Sequence, residues 1–265
     1  MHDQIPTPAL NTIPSYIQTI SDYQQQAQHH VSKDIWGYLN GGAMHEISVQ
    51  NNRQHLNDLT QGNTRFQLFG IEYPHPIFLA PIGHQALFHP QAEAASALAA
   101  ELMQSNFVLS TFTNTHMAEL KLENPYKWFQ LYWQGCREKS LTLIKQAEQS
   151  GYRAIVITVD APHVGIRDRE RKLFFQLPEE MQHPHTPTHL SFPDVSPSES
   201  QLFQGLMQIA PKWADIAWVI ANTHLPVILK GILHPADAQK ALDHGVSGII
   251  VSNHGVRIVD TTIPP

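Results

Sequence analysis

The chain has 265 residues of which 42% are hydrophobic, enough to bury the core of one α/β domain of barrel or doubly wound type. Its formal net charge of -6 leaves no basic face to neutralise phosphates and argues against a nucleic-acid partner. Cys136 is the single cysteine, which excludes an intrachain disulfide framework. With no apolar signal core near the N-terminus and no run approaching the roughly 18 apolar residues of a membrane span, the expectation is a cytoplasmic protein, at most peripheral to a membrane.

Residues 1–62 read as an N-terminal helical segment. In it Ile17, Ile20, Tyr23, Ala27 and Val31 recur at three- and four-residue spacing, as in a packed helix. A second helix over 35–39 stops at Asn40-Gly41-Gly42, with Tyr38 just before the stop. The polar stretches 51–54 and 57–64 read as connecting surface. From Ile77 onward the pattern is regular. Apolar runs at 77–83, 106–111, 128–133, 154–160, 227–229 and 248–251 read as buried strands, interleaved with helical spacing at 91–102, 117–122, 139–149 and 234–244. Pro90 and Pro235 mark helix starts, and Gly151 and Gly245 mark helix ends.

Near-continuous apolar strands indicate a parallel sheet covered by helices. Sequential β-then-α order favours a TIM-type (β/α)8 barrel over a doubly wound sheet, with about six of its units present over residues 63–265. Residues 168–210, rich in Pro, His and Ser, interrupt the series and read as a flexible flap over the site.

In such an array the residues just past the carboxyl ends of the strands converge on one face. Here they are Pro81, Ile82 and Gly83, then Ser110 and Thr111, Gln130 and Tyr132, Thr158 and Asp160, Lys230, and finally Ser252, His254 and Arg257. Arg167 follows Asp160 by seven residues. Each one alone reads as a turn or cap residue. Their repetition on the face where barrel enzymes hold their sites reads as a pocket.

The stretches LAPIGHQALFHPQAE, WFQLYW, ITVDAPHVGIRDRE, ILKG and SNHGVR resemble the FMN-dependent α-hydroxy-acid oxidase and dehydrogenase family, which includes glycolate oxidase, L-lactate oxidase and flavin-linked L-lactate dehydrogenase. The resemblance implies FMN-dependent oxidation of an L-2-hydroxy acid, of lactate or glycolate type, to the 2-oxo acid. Oxygen or a respiratory carrier would accept the electrons, and the full-length protein would be a homo-oligomer. It further implies that Pro81, Ile82 and Gly83 offer backbone to the flavin ring, while Ser110, Gln130 and Thr158 bond its polar edge, with Ser252 nearby. Lys230 would face the N1 side, where a fixed ammonium stabilises the negative charge of the reduced ring. His254 resembles the family's general base, a task suited to an imidazole at neutral pH, and Asp160 would stabilise the imidazolium. Arg167 and Arg257 would hold the substrate carboxylate in planar guanidinium forks, and Tyr38 and Tyr132 would complete the catalytic and substrate-binding set.

Two departures from the family pattern stand out. The basic stretch that the family carries between Asn52-Arg53 and the strand before Gly70 is missing, which leaves the cover of the barrel bottom in question. The family's seventh and eighth strands, whose loops hold the FMN phosphate, have no counterpart before Pro265. The expectation is therefore a C-terminally truncated member, and the alternative to an enzyme is a non-catalytic remnant with weak or no flavin binding. A metal-dependent barrel hydrolase is the third reading of the 17 histidines. It rests on His183 and His185, which lie in the flap rather than at a strand end.

Overall fold

The computed structural model describes residues 7–8, 10, 12–49, 52, 64–122, 126–162, 165–179, 181, 183–186, 195–196 and 198–265. Helix α1 (Ile20–Ala27) opens with a capping box in which Thr19 Oγ1 accepts from the Asp22 N–H at 3.2 Å and Asp22 Oδ2 accepts from the Thr19 N–H at 2.8 Å. The apolar stripe expected to pack this helix does not do so. Of its members only Ile17 is buried, and Ile20 is 89% exposed. Helix α2 (Lys33–Asn40) ends at the expected stop. Strands β1 (Phe66–Leu68) and β2 (Ile71–Tyr73) then form an antiparallel hairpin. Its two turn residues, Phe69 and Gly70, both take positive φ (51° and 76°), the geometry that matches a two-residue loop to strand twist.

The remainder alternates helix and strand: α3 (Ala92–Leu102), β3 (Phe107–Leu109), β4 (Lys127–Leu131), α4 (Arg137–Gln149), β5 (Ile155–Thr158), α5 (Asp168–Lys172), α6 (Trp213–Asn222), β6 (Val227–Ile232), α7 (Pro235–Asp243) and β7 (Gly248–Val251). Strands β3 to β7 are parallel and lie side by side in sequence order. A doubly wound sheet reverses its strand order at a switch point, whereas an arc of a TIM-type barrel does not. The fold is such an arc. Among the described residues no helix is long and apolar enough to cross a membrane.

Three local expectations are corrected. The run 77–83 is no strand. Pro76 and Pro81 bring no N–H to a ladder, and only Leu79 pairs, as a single bridge to Phe107 with its N–H on the Asn106 carbonyl at 2.9 Å. Residues 117–122 form turns and not a helix. The Met117 N–H donates to His185 Nε2 at 2.9 Å, and this irregular path buries Met117 and Leu120 in the core. The flap over 168–210 is not structureless, since it holds α5 and a π-helical stretch Gln201–Leu206 that runs into Met207–Ile209. After it comes α6, which presents Ile216 and Val219 to the core. Residues 187–194 of the flap, and 53–63 of the expected connecting surface, lie outside the described residues.

Side chains alternate across a strand, so the sheet sorts its residues onto two faces. On the outer face Phe107, Leu109, Phe129, Leu131, Ile155, Ile157, Val227 and Leu229 pack against Ile144, Ala147, Val219 and Ala241 of the covering helices. On the inner face Val108, Trp128, Val156 and Ile228 form a second cluster, with Phe69 and Phe78 packed on it. The Phe69 and Phe78 ring centroids lie 5.8 and 5.4 Å from that of Trp128, so the hairpin turn plugs the bottom of the arc despite the missing basic stretch. Burying each such side chain contributes about 1.5–3 kcal/mol. Two residues further along the strands the inner face turns polar, and the candidate site begins there.

Candidate active site

Counting two residues on from Val108, Trp128, Val156, Ile228 and Ile250 gives Ser110, Gln130, Thr158, Lys230 and Ser252. These five form a polar layer of two hydrogen-bonded sets on neighbouring strands. Gln130 Oε1 accepts from Ser110 Oγ and from the Thr111 N–H, both at 3.2 Å, while Gln130 Nε2 donates to Thr158 Oγ1 at 2.9 Å. Lys230 Nζ donates to Ser252 Oγ at 3.1 Å. Ser110, Gln130, Thr158 and Lys230 are each no more than 9% exposed. Burial pushes the Lys230 ammonium below its usual range, and the charge of Asp160 opposes that shift. At the rim of the layer, the segment Pro81-Ile82-Gly83 approaches so closely that a Cβ on Gly83 would lie 2.9 Å from Phe112 Cβ and 3.7 Å from Ser110 Oγ. The Ile82 carbonyl accepts from Gln85 Nε2 at 3.2 Å.

Above Ser252 the chain enters a 3-10 turn, His254–Val256, in which all three residues have positive φ (57°, 58° and 59°). A buried valine there is strained at a cost of about 1–3 kcal/mol, which persists only where surrounding contacts over-determine it. Those contacts are present: the His254 N–H donates to Ser252 Oγ at 3.0 Å, and the Val256 carbonyl accepts from the Ala43 N–H. The turn sets His254 Nδ1 2.8 Å from Asp160 Oδ1 and Nε2 3.2 Å from the Tyr132 hydroxyl. With Nδ1–H donated to the carboxylate, Nε2 is left to accept from the phenol. Burial, followed by the Asp160 charge, pushes the Tyr132 phenol well above its ordinary range, so it stays a donor. Gly231, at φ +109°, makes room for this pair, because a Cβ there would overlap the Asp160 side chain.

The carboxylate-binding candidates arrive from three directions. Arg257 Nη1 donates to the carbonyls of Tyr38 (2.7 Å) and Gly41 (3.0 Å), and its guanidinium lies 4.6 Å from the Tyr38 ring centroid. Arg257 Nη2 and Arg167 Nη1 meet on one oxygen, Glu170 Oε1, at 2.9 and 3.0 Å. Tyr38 comes from the N-terminal segment, which is sewn to the end of the chain. Asp260 accepts from the His45 and Ser48 N–H groups, and Asn52 and Asn253 exchange reciprocal amide hydrogen bonds at 3.0 and 2.9 Å. The structure joins the nominated residues in sets: Ser110, Gln130 and Thr158; Lys230 and Ser252 with His254, Asp160 and Tyr132; and Tyr38 and Arg257 with Arg167 through Glu170.

Two features were not legible as site residues in the sequence. Glu170 is one, although its place three residues after Arg167, one helical turn, is a signal for an ion pair. The other is an aromatic wall. His84 stacks on Phe112, lies edge-on to Tyr38 and to His183, and reaches Tyr132 through Phe112. Burial pushes His84 down to about 4, so the ring is neutral. His183 and His185 have separate surroundings, the first against His84 and the second against His116 and Met117. Among the described residues no three His, Cys, Asp or Glu side chains are grouped to hold a metal.

A buried polar layer at the carboxyl ends of barrel strands, with a His–Asp pair and two arginines above it, is the arrangement that the motif resemblance implies. The comparisons with known proteins give the same class. The profile of the FMN-dependent dehydrogenase family matches residues 27–265. The L-lactate oxidase of Roseobacter sp. (strain GAI101) is 39% identical over 263 residues, which is 93% of this chain and 70% of that protein. Mandelate oxidase solved with 3,3-difluoro-2-hydroxy-3-phenylpropionic acid is 34% identical with a TM-score of 0.79, over 92% of this chain and 70% of that one. A mandelate oxidase mutant with the C4a-OH-FMN adduct is 32% identical with a TM-score of 0.78, over 92% and 71% respectively. The chain belongs to the FMN-dependent dehydrogenase family, enzymes that act on small 2-hydroxy acids with FMN as cofactor. The residues present fit the isoalloxazine ring of FMN. Lys230 Nζ has one hydrogen-bond partner among the described residues, which leaves donors for an acceptor at the ring edge.

Proposed function

We propose that this protein oxidises an L-2-hydroxy acid of lactate or glycolate type to the 2-oxo acid, with oxygen or a respiratory carrier as the final electron acceptor. The observation that carries the reading is His254, held between Asp160 and the Tyr132 hydroxyl directly above the Lys230 layer. FMN, when bound, supplies the two-electron acceptor. His254 Nε2 takes a proton from the substrate, and Asp160 Oδ1, already hydrogen-bonded to Nδ1, stabilises the imidazolium that forms. Tyr132 donates to the substrate oxygen as the carbonyl develops, and Tyr38 borders the same pocket. Arg167 and Arg257 orient the substrate carboxylate. Lys230 places a fixed positive charge where negative charge accumulates, without solvent reorganisation. With this goes a single catalytic domain working in the cytoplasm, a placement supported by the lone Cys136.

A second reading, a non-catalytic relative with weak flavin binding, is favoured by the edge of the sheet at β7, where Val251 is 51% exposed. One experiment separates the two. The purified protein, supplied with FMN, is mixed anaerobically with L-lactate or glycolate and followed at the flavin absorbance band. Bleaching with formation of the 2-oxo acid supports catalysis. A bound flavin that neither acid reduces, or a flavin that does not bind, contradicts it.

A further inference from the structure

The two arginines nominated for the substrate carboxylate already hold a carboxylate, that of Glu170. Both guanidinium groups converge on its Oε1, and the side chains of Arg167, Arg257 and Glu170 are 19%, 22% and 13% exposed. Burial and the charge of Arg257 both work against the Arg167 guanidinium, and Glu170 opposes that shift without cancelling it. Of the other charges on α5, Arg169 is committed to Glu46, Arg171 to Asp168, and Lys172 is exposed to solvent. In the layer below, Lys230 and Asp160 offset one another. Two positive charges and one negative therefore leave the anion pocket with a single net positive charge, in a half-buried setting where charge matching counts for more than it does in water.

Resting on the functional reading above, we propose that Glu170 is the residue that sets the charge specificity of this enzyme: by neutralising one of two arginines it tunes the pocket to 2-hydroxy monocarboxylates and against dicarboxylates. Glu170 acts through the arginines and is a positioning residue. It also fixes both forks in register with one oxygen, so shortening the side chain loosens them while keeping the charge.

The test is binding, read by calorimetry on the purified protein, with pyruvate as a 2-oxo monoanion and mesoxalate as a 2-oxo dianion. Neither is a substrate for further oxidation at the 2-position. The wild-type protein is expected to prefer pyruvate. Glu170→Gln, which keeps an oxygen for the two guanidinium groups, should raise the mesoxalate-to-pyruvate affinity ratio roughly tenfold, the order expected for one unit charge across a half-buried site. Glu170→Asp should weaken both ligands and leave the ratio at its wild-type value; a merely structural role would leave the ratio unmoved in the glutamine variant as well. Glu170→Asn reads the same ratio should the glutamine variant fail to fold. Pyruvate binding with an unmoved ratio in the neutral variants overturns the role of Glu170 alone. A wild-type protein that binds neither anion overturns the functional reading and this inference together.

Discussion

Two adjacent layers of side chains fill the inner face of the sheet, drawn from the same strands two residues apart. The lower, Val108, Trp128, Val156 and Ile228 with Phe69 from the hairpin, is apolar and dry and contributes to stability through burial. The upper, Ser110, Gln130, Thr158, Lys230 and Ser252, is equally enclosed at its centre but carries an ammonium and an amide. Burying such groups costs free energy unless they are paired, so a sequence selected for stability alone would have continued the apolar pattern. One step of the pleat separates the part of the barrel that holds the fold from the part that holds the chemistry. The helical turn above it, with His254 and Val256 at positive φ, extends the same contrast into the backbone.

That contrast breaks most sharply at His254. Replacing it with alanine should lower turnover with L-2-hydroxy acids by roughly 10²- to 10⁴-fold while the melting temperature and flavin content stay close to wild type. Stopped-flow reduction of the flavin measures the effect, and an unchanged reduction rate would remove His254 from its assigned role. The complementary change lies one layer down. Trp128→Ala should cost about 3–5 kcal/mol of folding stability, read from denaturant unfolding, because the Phe69 and Phe78 rings lose the surface they pack on. Any fraction that remains folded should keep its turnover per flavin.

A graded effect comes from acid. Burial pushes His84 and His185 down from 6.5 to about 4, so the folded protein leaves them neutral while the unfolded chain takes up a proton near 6.5. Above that pH neither state differs and stability is flat. As pH falls from about 6.5 towards about 4 the unfolded state binds more protons and stability declines, by on the order of 1.4 kcal/mol per pH unit for each group. His185 also accepts the Met117 N–H, which fixes its tautomer. His185→Asn, which keeps an acceptor oxygen, should reduce this acid slope by about half in unfolding curves taken at several pH values, His84 retaining the rest, with the upper polar layer untouched.

The strands and their ends were legible in the sequence because both follow from a period of two. An apolar run that ends in a polar residue on five successive strands has few other meanings. The hairpin was harder to read, since its turn is Phe69-Gly70, without the Asn or Asp that usually marks positive φ, and its strands have three residues each. Helix α6, WADIAWVIAN, went unread because it follows the long flap and not a strand, so the β-then-α series did not point to it. The strand expected at 77–83 was lost to its prolines. Among the site residues, the His254–Asp160 pair and the arginines followed from the motif resemblance, whereas Glu170 did not, because nothing in one dimension says that two guanidinium groups will meet on one oxygen.

The central claim is that the upper layer is a flavin platform with Lys230 as its charged member. The most direct measurement is an equilibrium titration with FMN, followed by quenching of flavin fluorescence, on the wild-type protein and on Lys230→Met, a change that preserves much of the side-chain volume but removes the charge. The account predicts saturable quenching in the wild type and at least about tenfold weaker binding in the variant, the order of one charge-assisted hydrogen bond, with the melting temperature of the flavin-free protein no lower than before. Equal FMN affinity in the two proteins, or a variant that loses stability instead of affinity, would contradict it.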